Sequence, residues 1–219
     1  MRTLLVPDIH ECYHQLLKIE DKYFHKADRI VFLGDYWDSF THKLTNAKLM
    51  ATWILCNIHD PKFTFLLGNH CQHYAFKSTG FSSGYQQDTQ RMLDTEFTTD
   101  IWRKFKLWTE VGPYLVSHAG FNEGTIHLKD QADQAIEAAF NGIYHPLWSA
   151  GYVVGGNVPY GGPTWLRSFE LDDLDQPQIC GHTPHPAPKA YGINWCIDTH
   201  LKHVAWYDSE VGSLTFEAV

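Results

Sequence analysis

The sequence predicts an α/β fold, and two observations carry that prediction. Over the first third of the chain, short apolar runs alternate with helical patterns in the order strand, helix, strand, helix, strand. This order makes a right-handed parallel unit the default arrangement. In addition, five apolar runs along the chain are followed at once by Asp, His or Asn. A chain that repeats this arrangement is expected to assemble one site at one edge of a sheet.

The elements of the first third follow from apolar patterns and from the residues that break them. The second helix has apolar residues at helical spacing, and Asp60-Pro61 ends it. In chain order the predicted elements are a strand at 2–7, a helix at about 11–24, a strand at 29–33, a helix at 41–58 and a strand at 63–67.

The remaining two thirds are less periodic, and the predictions there are coarser. The segment 144–166 contains five glycines and three prolines, so we expect an irregular segment that is functional or mobile. The other predictions are a loop at 78–84, a helix at about 87–107 with a break near Thr98-Thr99, a fourth strand at 114–117, a helix at 129–140, a strand-like run at 178–180, and antiparallel strands at 193–198, 203–208 and 214–217.

The composition narrows the classes of partner. A chain of 219 residues fits one domain, which we place at residues 1–219. The 17 Lys and Arg residues are outnumbered by 25 Asp and Glu residues, which gives a net charge of -8. This balance argues against binding long nucleic acid, which requires a basic surface. A small phosphorylated substrate remains compatible, because bound cations reverse the local field.

The cysteines and the apolar runs bear on location. The five cysteines are odd in number and form no C-x-x-C pair, as expected for reduced thiols in a cytoplasmic protein. No apolar run approaches the length needed to span a membrane. We therefore predict a cytoplasmic protein without a membrane partner.

Five short polar motifs follow the apolar runs and carry the candidate chemistry. Each motif alone has a structural explanation: Asp8 can equally be the N-cap of the helix that follows it, and Asp38 can cap the helix at 41–58. Their joint occurrence in one order, each after a strand, favours a functional site. The motifs are Asp8-x-His10, Gly34-Asp35-x-x-Asp38, Gly68-Asn69-His70, His118-Ala119-Gly120 and Gly181-His182-Thr183-Pro184.

In these motifs and their order the chain resembles the calcineurin-like metallophosphoesterases. The resemblance is greatest to the branch of phosphoprotein phosphatases and symmetrical diadenosine tetraphosphatases. Trp165-Leu166-Arg167 and Cys196-Ile197-Asp198-Thr199 are similar to two further motifs of that branch, so the resemblance extends from residue 8 to about 217. It implies two mixed β-sheets packed face to face, with flanking helices.

The resemblance also implies a dinuclear metal site. Asp35 would bridge two divalent ions, with Asp8 and His10 at one ion and Asn69, His118 and His182 at the other. Carboxylate, imidazole and amide ligands suit Mn, which we favour, and leave Fe, Zn and Mg as alternatives. A hydroxide between the two ions would attack phosphorus in line.

Three other groups have roles by the same resemblance. His70 would act as the general acid, with Asp38 orienting it. Arg167, together with Asn69, would bind the phosphate oxygens. The alternative for Arg167 is a surface salt bridge with Glu170 or Asp172.

The predicted function is that of a hydrolase, a dimetal phosphomonoesterase of the protein phosphatase type. Its substrate would be a phosphorylated small molecule, a nucleotide or a phosphoprotein. One alternative is a phosphodiesterase or dinucleoside-polyphosphate hydrolase, for which the aromatic segment 144–166 would stack a nucleobase or form a packed lid.

A second alternative is a metal-binding interaction module with impaired catalysis. It is motivated by four departures from the family pattern: Cys71 replaces an acidic residue, Ser39 and Leu67 replace arginines, and Pro184 replaces a histidine. His185 and His200 are candidates to compensate for Pro184, or they are ordinary loop histidines.

Overall fold

The computed structural model describes residues 1–219 and contains ten strands and six α-helices. The strands are β1 (Arg2–Val6), β2 (Arg29–Phe32), β3 (Phe63–Phe65), β4 (Trp108–Val111), β5 (Tyr114–Ser117), β6 (Gln178–Cys180), β7 (Lys189–Tyr191), β8 (Asn194–Cys196), β9 (His203–Asp208) and β10 (Ser213–Ala218). The helices are α1 (Tyr13–Tyr23), α2 (Leu44–Asn57), α3 (Asn69–Ala75), α4 (Gln87–Glu96), α5 (Thr99–Trp102) and α6 (Ala132–Phe140).

The strands form two five-stranded sheets, and both are mixed. The first has the order β10-β9-β1-β2-β3, in which β1, β2 and β3 are parallel and β9 runs antiparallel to β1. The second has the order β4-β5-β6-β8-β7, with β5, β6 and β8 parallel and antiparallel strands at both edges. The predicted α/β fold with two mixed sheets is confirmed.

The central strands contribute side chains to two separate cores, one on each face of the strands. Leu5 of β1 and Val31 of β2 pack against Val116 and Ile179 of the second sheet, in an apolar layer between the sheets. Their neighbours Leu4, Val6, Ile30 and Phe32 point the other way and pack under α1 and α2. Because side chains alternate across a strand, burial on both faces explains why these strands are continuously apolar.

Several predicted elements differ from the structure. The break near Thr98-Thr99 is present, between α4 and α5, but β4, β7 and α3 were not predicted. The strand predicted at 193–198 was expected to be antiparallel; instead β8 pairs in parallel with β6, and only its other neighbour, β7, is antiparallel. Strand direction depends on the pairing partner, and a short apolar run does not encode that partner.

The segment 144–166 is irregular, as predicted, but it is held by its own backbone. It contains two short 3₁₀ helices, Pro146–Trp148 and Tyr152–Val154, and an isolated bridge between Gly151 and Val158. The Gly162 N–H donates to the Ser149 carbonyl at 2.9 Å. These contacts fold the segment back on itself.

Two observations bear on the location prediction. All five cysteines are free; Cys71, Cys180 and Cys196 are buried, and Cys12 and Cys56 are exposed. Among the helices, none combines the length and the apolar character that a membrane crossing requires.

Candidate active site

The candidate residues lie together at the carboxyl ends of five parallel strands. Segments after β1, β2 and β3 carry them from the first sheet, and segments after β5 and β6 carry them from the second. Parallel strands place their carboxyl ends at the same edge of a sheet, which is where ligands bind in α/β folds. The two sheets thus deliver side chains to one place from opposite sides. The residues concerned are Asp8, His10, Asp35, Asp38, Asn69, His70, His118 and His182.

Asp8, His10 and Asp35 form the first of two groups of metal-compatible atoms. Their candidate ligand atoms all lie within 4.8 Å of one another. His10 Nδ1 lies 3.0 Å from the Asp38 carbonyl and 3.2 Å from that of Trp37. Because carbonyls only accept hydrogen bonds, Nδ1 carries the proton. The Nε2 lone pair of His10 is therefore presented to Asp35 Oδ2, 3.7 Å away.

The second group shares Asp35 with the first and adds His118 and His182. His118 Nδ1 donates to the Leu33 carbonyl at 2.8 Å, so its Nε2 lone pair faces inward. That nitrogen lies 3.2 Å from Asn69 Oδ1, 3.2 Å from His182 Nδ1 and 3.3 Å from Asp35 Oδ2. Atoms with lone pairs thus converge on one point from four side chains.

These donor atoms fit two divalent cations that share Asp35. Asp8 Oδ1 is buried and has no hydrogen-bond partner, which is costly unless a ligand satisfies it. Oxygen and imidazole ligands without a thiolate suit Mn, Fe or Zn. The two groups match the sets that the sequence resemblance implied, with Asn69 beside the second group.

The carboxylates at the site have opposite pKa shifts. Burial raises the pKa of the Asp8 carboxyl well above its usual value, and the nearby Asp198 and Asp35 raise it further. Burial also acts to raise the pKa of Asp35, but the His118 and His70 rings outweigh it and hold that pKa well below its usual value. The two pKa values shift in opposite directions because Asp8 has carboxylate neighbours and Asp35 has histidine neighbours.

The backbone at the site is strained. The φ angles are 45° at His10, 48° at Asp35, 65° at Asp38 and 66° at His182, in the left-handed region that only a few per cent of non-glycine residues occupy. Main-chain bonds hold the first turn, because the Ile9 and His10 N–H groups both donate to the Asp35 carbonyl at 3.1 and 2.7 Å. Strain of this kind is characteristic of functional sites, and here it aims four side chains at one place.

Two glycines make room for the carboxylates. A Cβ atom on Gly68 would overlap Asp35 Oδ1, and one on Gly181 would overlap Asp8 Oδ1. Both positions lie in the motifs singled out from the sequence. Their small size lets the main chain approach the ligands closely.

Gly181→Ala is expected to weaken metal binding by at least about tenfold, because the new methyl group displaces Asp8 and breaks the 2.9 Å bond from the His182 N–H to Asp8 Oδ2. The overpacking should also cost about 1–3 kcal/mol of unfolding free energy. Mn titration by calorimetry and urea unfolding measure the two effects. Gly142→Ala is the control, because it adds only left-handed strain in open space and should leave Mn affinity unchanged.

His70 and Asp38 form a hydrogen-bonded pair beside the two groups. His70 Nδ1 lies 2.9 Å from Asp38 Oδ2, which leaves Nε2 on the partly exposed edge of the ring. Burial acts to lower the pKa of His70, but Asp35 and Asp38 outweigh it and the pKa is raised. His70 therefore keeps its proton to a higher pH than a free histidine.

The helix-cap explanations of Asp8 and Asp38 are wrong. The N-cap of α1 is Cys12 and that of α2 is Lys43, and neither helix has a side-chain cap. Asp8 instead accepts the His182 N–H. Asp38 instead pairs with side chains of α3.

Arg167 is half-buried and forms no ion pair with Glu170 or Asp172. Its contact with Glu170 goes through its main-chain N–H, at 2.9 Å. Burial and the His118 ring lower the pKa of His182, and the positive charge of Arg167 acts in the same direction. The Trp165 ring lies 6.2 Å from that of His182.

Three residues at the site were missed from the sequence: His73, Tyr74 and Ser82. His73 Nε2 lies 2.8 Å from Asp38 Oδ2, and the Tyr74 hydroxyl donates to Asp38 Oδ1. Ser82 contacts His73 Nδ1 through both its N–H and its hydroxyl. The spacing of three between His70 and His73 would have placed both on one helix face, had α3 been predicted.

The residues that depart from the family pattern lie as follows. Cys71 is fully buried in α3, and burial raises the pKa of its thiol well above the usual value. His185 contacts the Ser168 and Tyr191 hydroxyls at 3.2 Å, and His200 is exposed. Neither histidine belongs to the two groups of metal-compatible atoms.

Comparisons with known proteins agree with this geometry. No protein-family profile matches the sequence. A symmetrical bis(5'-nucleosyl)-tetraphosphatase from Methylobacillus flagellatus is 26% identical over 171 residues, which cover 69% of this chain. The chain spans 59% of the length of that relative.

Solved structures match over nearly the whole chain. A mutant cold-active protein tyrosine phosphatase gives a TM-score of 0.67 at 16% identity, covering 99% of this chain and 80% of that one. A Saccharomyces cerevisiae protein serine/threonine phosphatase gives 0.57 at 15% identity, covering 99% and 79%. The chain has the fold of these two phosphatases.

A putative diadenosine tetraphosphatase shares this fold, with a TM-score of 0.53 at 14% identity over 99% of this chain and 93% of that one. The fold that the sequence resemblance implied, two mixed sheets with flanking helices, is confirmed. At these identities the structural likeness establishes the fold, and the chemistry must be argued from the site.

Proposed function

We propose that the protein is a dimetal-dependent phosphoester hydrolase, and specifically a phosphomonoesterase. The observation that carries the proposal is the pair of ligand groups that share Asp35, with His70 and Asp38 directly beside them. One group alone would fit a structural cation. Two groups around one carboxylate, next to a histidine that keeps its proton, fit hydrolysis of a phosphate ester.

Asp8, His10 and Asp35 would hold one divalent ion, and Asp35, Asn69, His118 and His182 the other. We favour Mn, because oxygen and imidazole ligands suit it, with Fe, Zn and Mg as alternatives. When bound, such a pair of ions neutralises phosphate charge and lowers the pKa of water near neutrality.

The remaining groups of the site bind the phosphate and move a proton. Arg167 follows Trp165, whose ring lies beside that of His182, and its guanidinium would donate two parallel hydrogen bonds to phosphate oxygens. The Asn69 amide would take part in binding the phosphate as well as the second ion. His70 would give the proton on Nε2 to the ester oxygen as its bond to phosphorus breaks, while Asp38 holds Nδ1.

The proposed substrate is a phosphorylated small molecule, a nucleotide or a phosphoprotein, handled in the cytoplasm. The net charge of -8 argues against binding long nucleic acid. Arg167 is the only arginine we assign to the phosphate, since Leu67 and Ser39 stand where the related branch has arginines. We therefore expect modest affinity for highly charged phosphates.

A dinucleoside-polyphosphate hydrolase is the second candidate, and one observation favours it. Trp165 of the segment 144–166 is half-buried beside His182, and Tyr152 and Tyr160 of the same segment are exposed. Aromatic rings at the edge of a phosphate site are suited to stack a nucleobase. The relative from Methylobacillus flagellatus carries a name of this class.

Hydrolysis of an aryl phosphate monoester and the matching diester, side by side in Mn, tests the proposal. We expect turnover of the monoester that is at least about a hundredfold faster than that of the diester, and its loss on chelation. Restoring Mn after chelation should restore the rate, which separates metal removal from unfolding.

The other outcomes decide between the alternatives. A preference for the diester contradicts the monoesterase assignment and favours a phosphodiesterase. Faster hydrolysis of a diadenosine polyphosphate than of any monoester favours the second candidate. Two bound ions with no turnover of any ester contradict an enzyme function and leave a metal-binding module, to which the replacement at Cys71 points.

A further inference from the structure

We propose that His73 is a positioning residue, which fixes the general acid His70 by holding the carboxylate that the two histidines share. The inference rests on the proposed function, because it concerns the step in which His70 protonates the leaving oxygen. His73 lies outside the sequence motifs, and its ring is too deeply buried to touch a substrate, with 1% of the side chain exposed.

The carboxylate of Asp38 is enclosed by three side chains from α3. His70 Nδ1 and His73 Nε2 lie 2.9 and 2.8 Å from the same oxygen, Oδ2. The Tyr74 hydroxyl donates to the other oxygen. The Asp38 side chain has no solvent exposure, so these groups set where its oxygens lie. The carboxylate in turn sets the rotation of the His70 ring.

The tautomer of His73 follows from its contact with Ser82. The Ser82 N–H donates to His73 Nδ1 at 3.1 Å, and a nitrogen that accepts a hydrogen bond carries no hydrogen. The hydrogen of the neutral ring is therefore on Nε2, the atom beside Asp38. Its approach to Oδ2 is off the ideal hydrogen-bond direction, so the contact, at 2.8 Å, is between the polar Nε2–H of the neutral ring and the charge of the carboxylate.

The segment after α3 is attached through the same residues. Besides the two contacts of Ser82 with His73, the Gln86 N–H donates to the Tyr74 oxygen at 3.0 Å. Between them, Gly84 lies so close that a Cβ there would stand 3.2 Å from Asp38 Cβ and 3.6 Å from His70 Cε1. The segment 82–86 thus covers the carboxylate and keeps water from competing for it.

A purely structural role for His73 is the competing explanation, since its ring also packs against Tyr74 and Tyr85 at centroid distances of 4.2 and 5.3 Å. The test must separate loss of packing from loss of positioning. The two roles differ in their dependence on the leaving group. Hydrolysis of an alkyl phosphate, which has a poor leaving group, depends on a general acid. Hydrolysis of 4-nitrophenyl phosphate, which has a good leaving group, hardly depends on one.

The matched variants are His73→Asn and His73→Gln. The Asn amide reaches the position of Nδ1 and keeps the Ser82 contact but not the contact with Asp38, whereas the Gln amide reaches the position of Nε2. With Mn present, we expect His73→Asn to lose about 10–100-fold in kcat/KM on the alkyl phosphate and less than about threefold on 4-nitrophenyl phosphate. His73→Gln should recover most of the alkyl phosphate rate. His14→Asn, on the exposed face of α1, should change neither.

A double-mutant cycle decides the mechanism. If His73 acts through His70, adding His73→Asn to His70→Ala should cause no further loss on the alkyl phosphate. Equal losses on both esters, or a further loss in the His70→Ala background, would overturn the positioning role. If His73→Asn does not fold, His73→Met fills the ring volume and must show the same dependence on the leaving group. Absence of turnover in the wild type would instead count against the proposed function.

Discussion

Asp35→Asn is expected to abolish binding of the metal pair and to lower kcat/KM for the aryl monoester by at least about a thousandfold, or roughly 4 kcal/mol of transition-state stabilisation. Asp35 Oδ2 is the atom common to both ligand groups, 3.7 Å from His10 Nε2 and 3.3 Å from His118 Nε2. An amide NH₂ at that position would donate to the two ring nitrogens, and it would satisfy them without any cation.

The fold should survive this change. The other oxygen, Asp35 Oδ1, accepts the His70 N–H at 2.9 Å, and an asparagine oxygen can do the same. Metal content after gel filtration in Mn is the measurement, with circular dichroism to establish folding. Asp130→Asn, an exposed carboxylate with 88% of its side chain accessible, is the control and should retain both ions. Two ions retained per chain in Asp35→Asn would refute the shared-ligand role.

His70→Ala is expected to separate metal binding from proton transfer. We expect about 10²–10⁴-fold slower hydrolysis of an alkyl phosphate, a loss below about tenfold on 4-nitrophenyl phosphate, and unchanged metal content. The ring is removed, but the main-chain N–H that binds Asp35 remains. Asp38 keeps His73 and Tyr74 as partners, so the surrounding structure should hold.

Steady-state kinetics on the two esters, at saturating Mn, measures this difference. His127→Ala, at an exposed position, is the matched histidine control and should stay within about twofold of the wild type. A wild-type rate on the alkyl phosphate in His70→Ala would remove His70 from the acid role. Loss of metal from that variant would mean that the ring also supports the ligand groups.

The site was more predictable from the sequence than the elements around it, and the reason is geometric. Asp35 and His182 follow the ends of strands by only a few residues, so the direction of parallel strands brings them to one edge whatever the loops do. The glycines at Gly68 and Gly181 belong to the same short motifs. Both glycines contact carboxylates of the site itself, and not residues of the surrounding elements.

The parts that could not be predicted depend on partners distant in the sequence. His73 lies in α3, a helix of seven residues, too short for an apolar period to reveal. Its contact with Ser82 depends on the chain turning back after that helix. The strand β7 is mostly exposed and has no apolar pattern. The parallel direction of β8 is set by its neighbour β6, which its own residues do not encode.

The most direct test of the dinuclear site is anomalous diffraction from crystals grown with Mn. We predict two anomalous peaks about 3.5–4 Å apart, one on either side of Asp35 Oδ2. Asp8 and His10 should contact the first, and His118 and His182 the second, with Asn69 beside it. A single peak, or two peaks that do not share Asp35, would contradict the account.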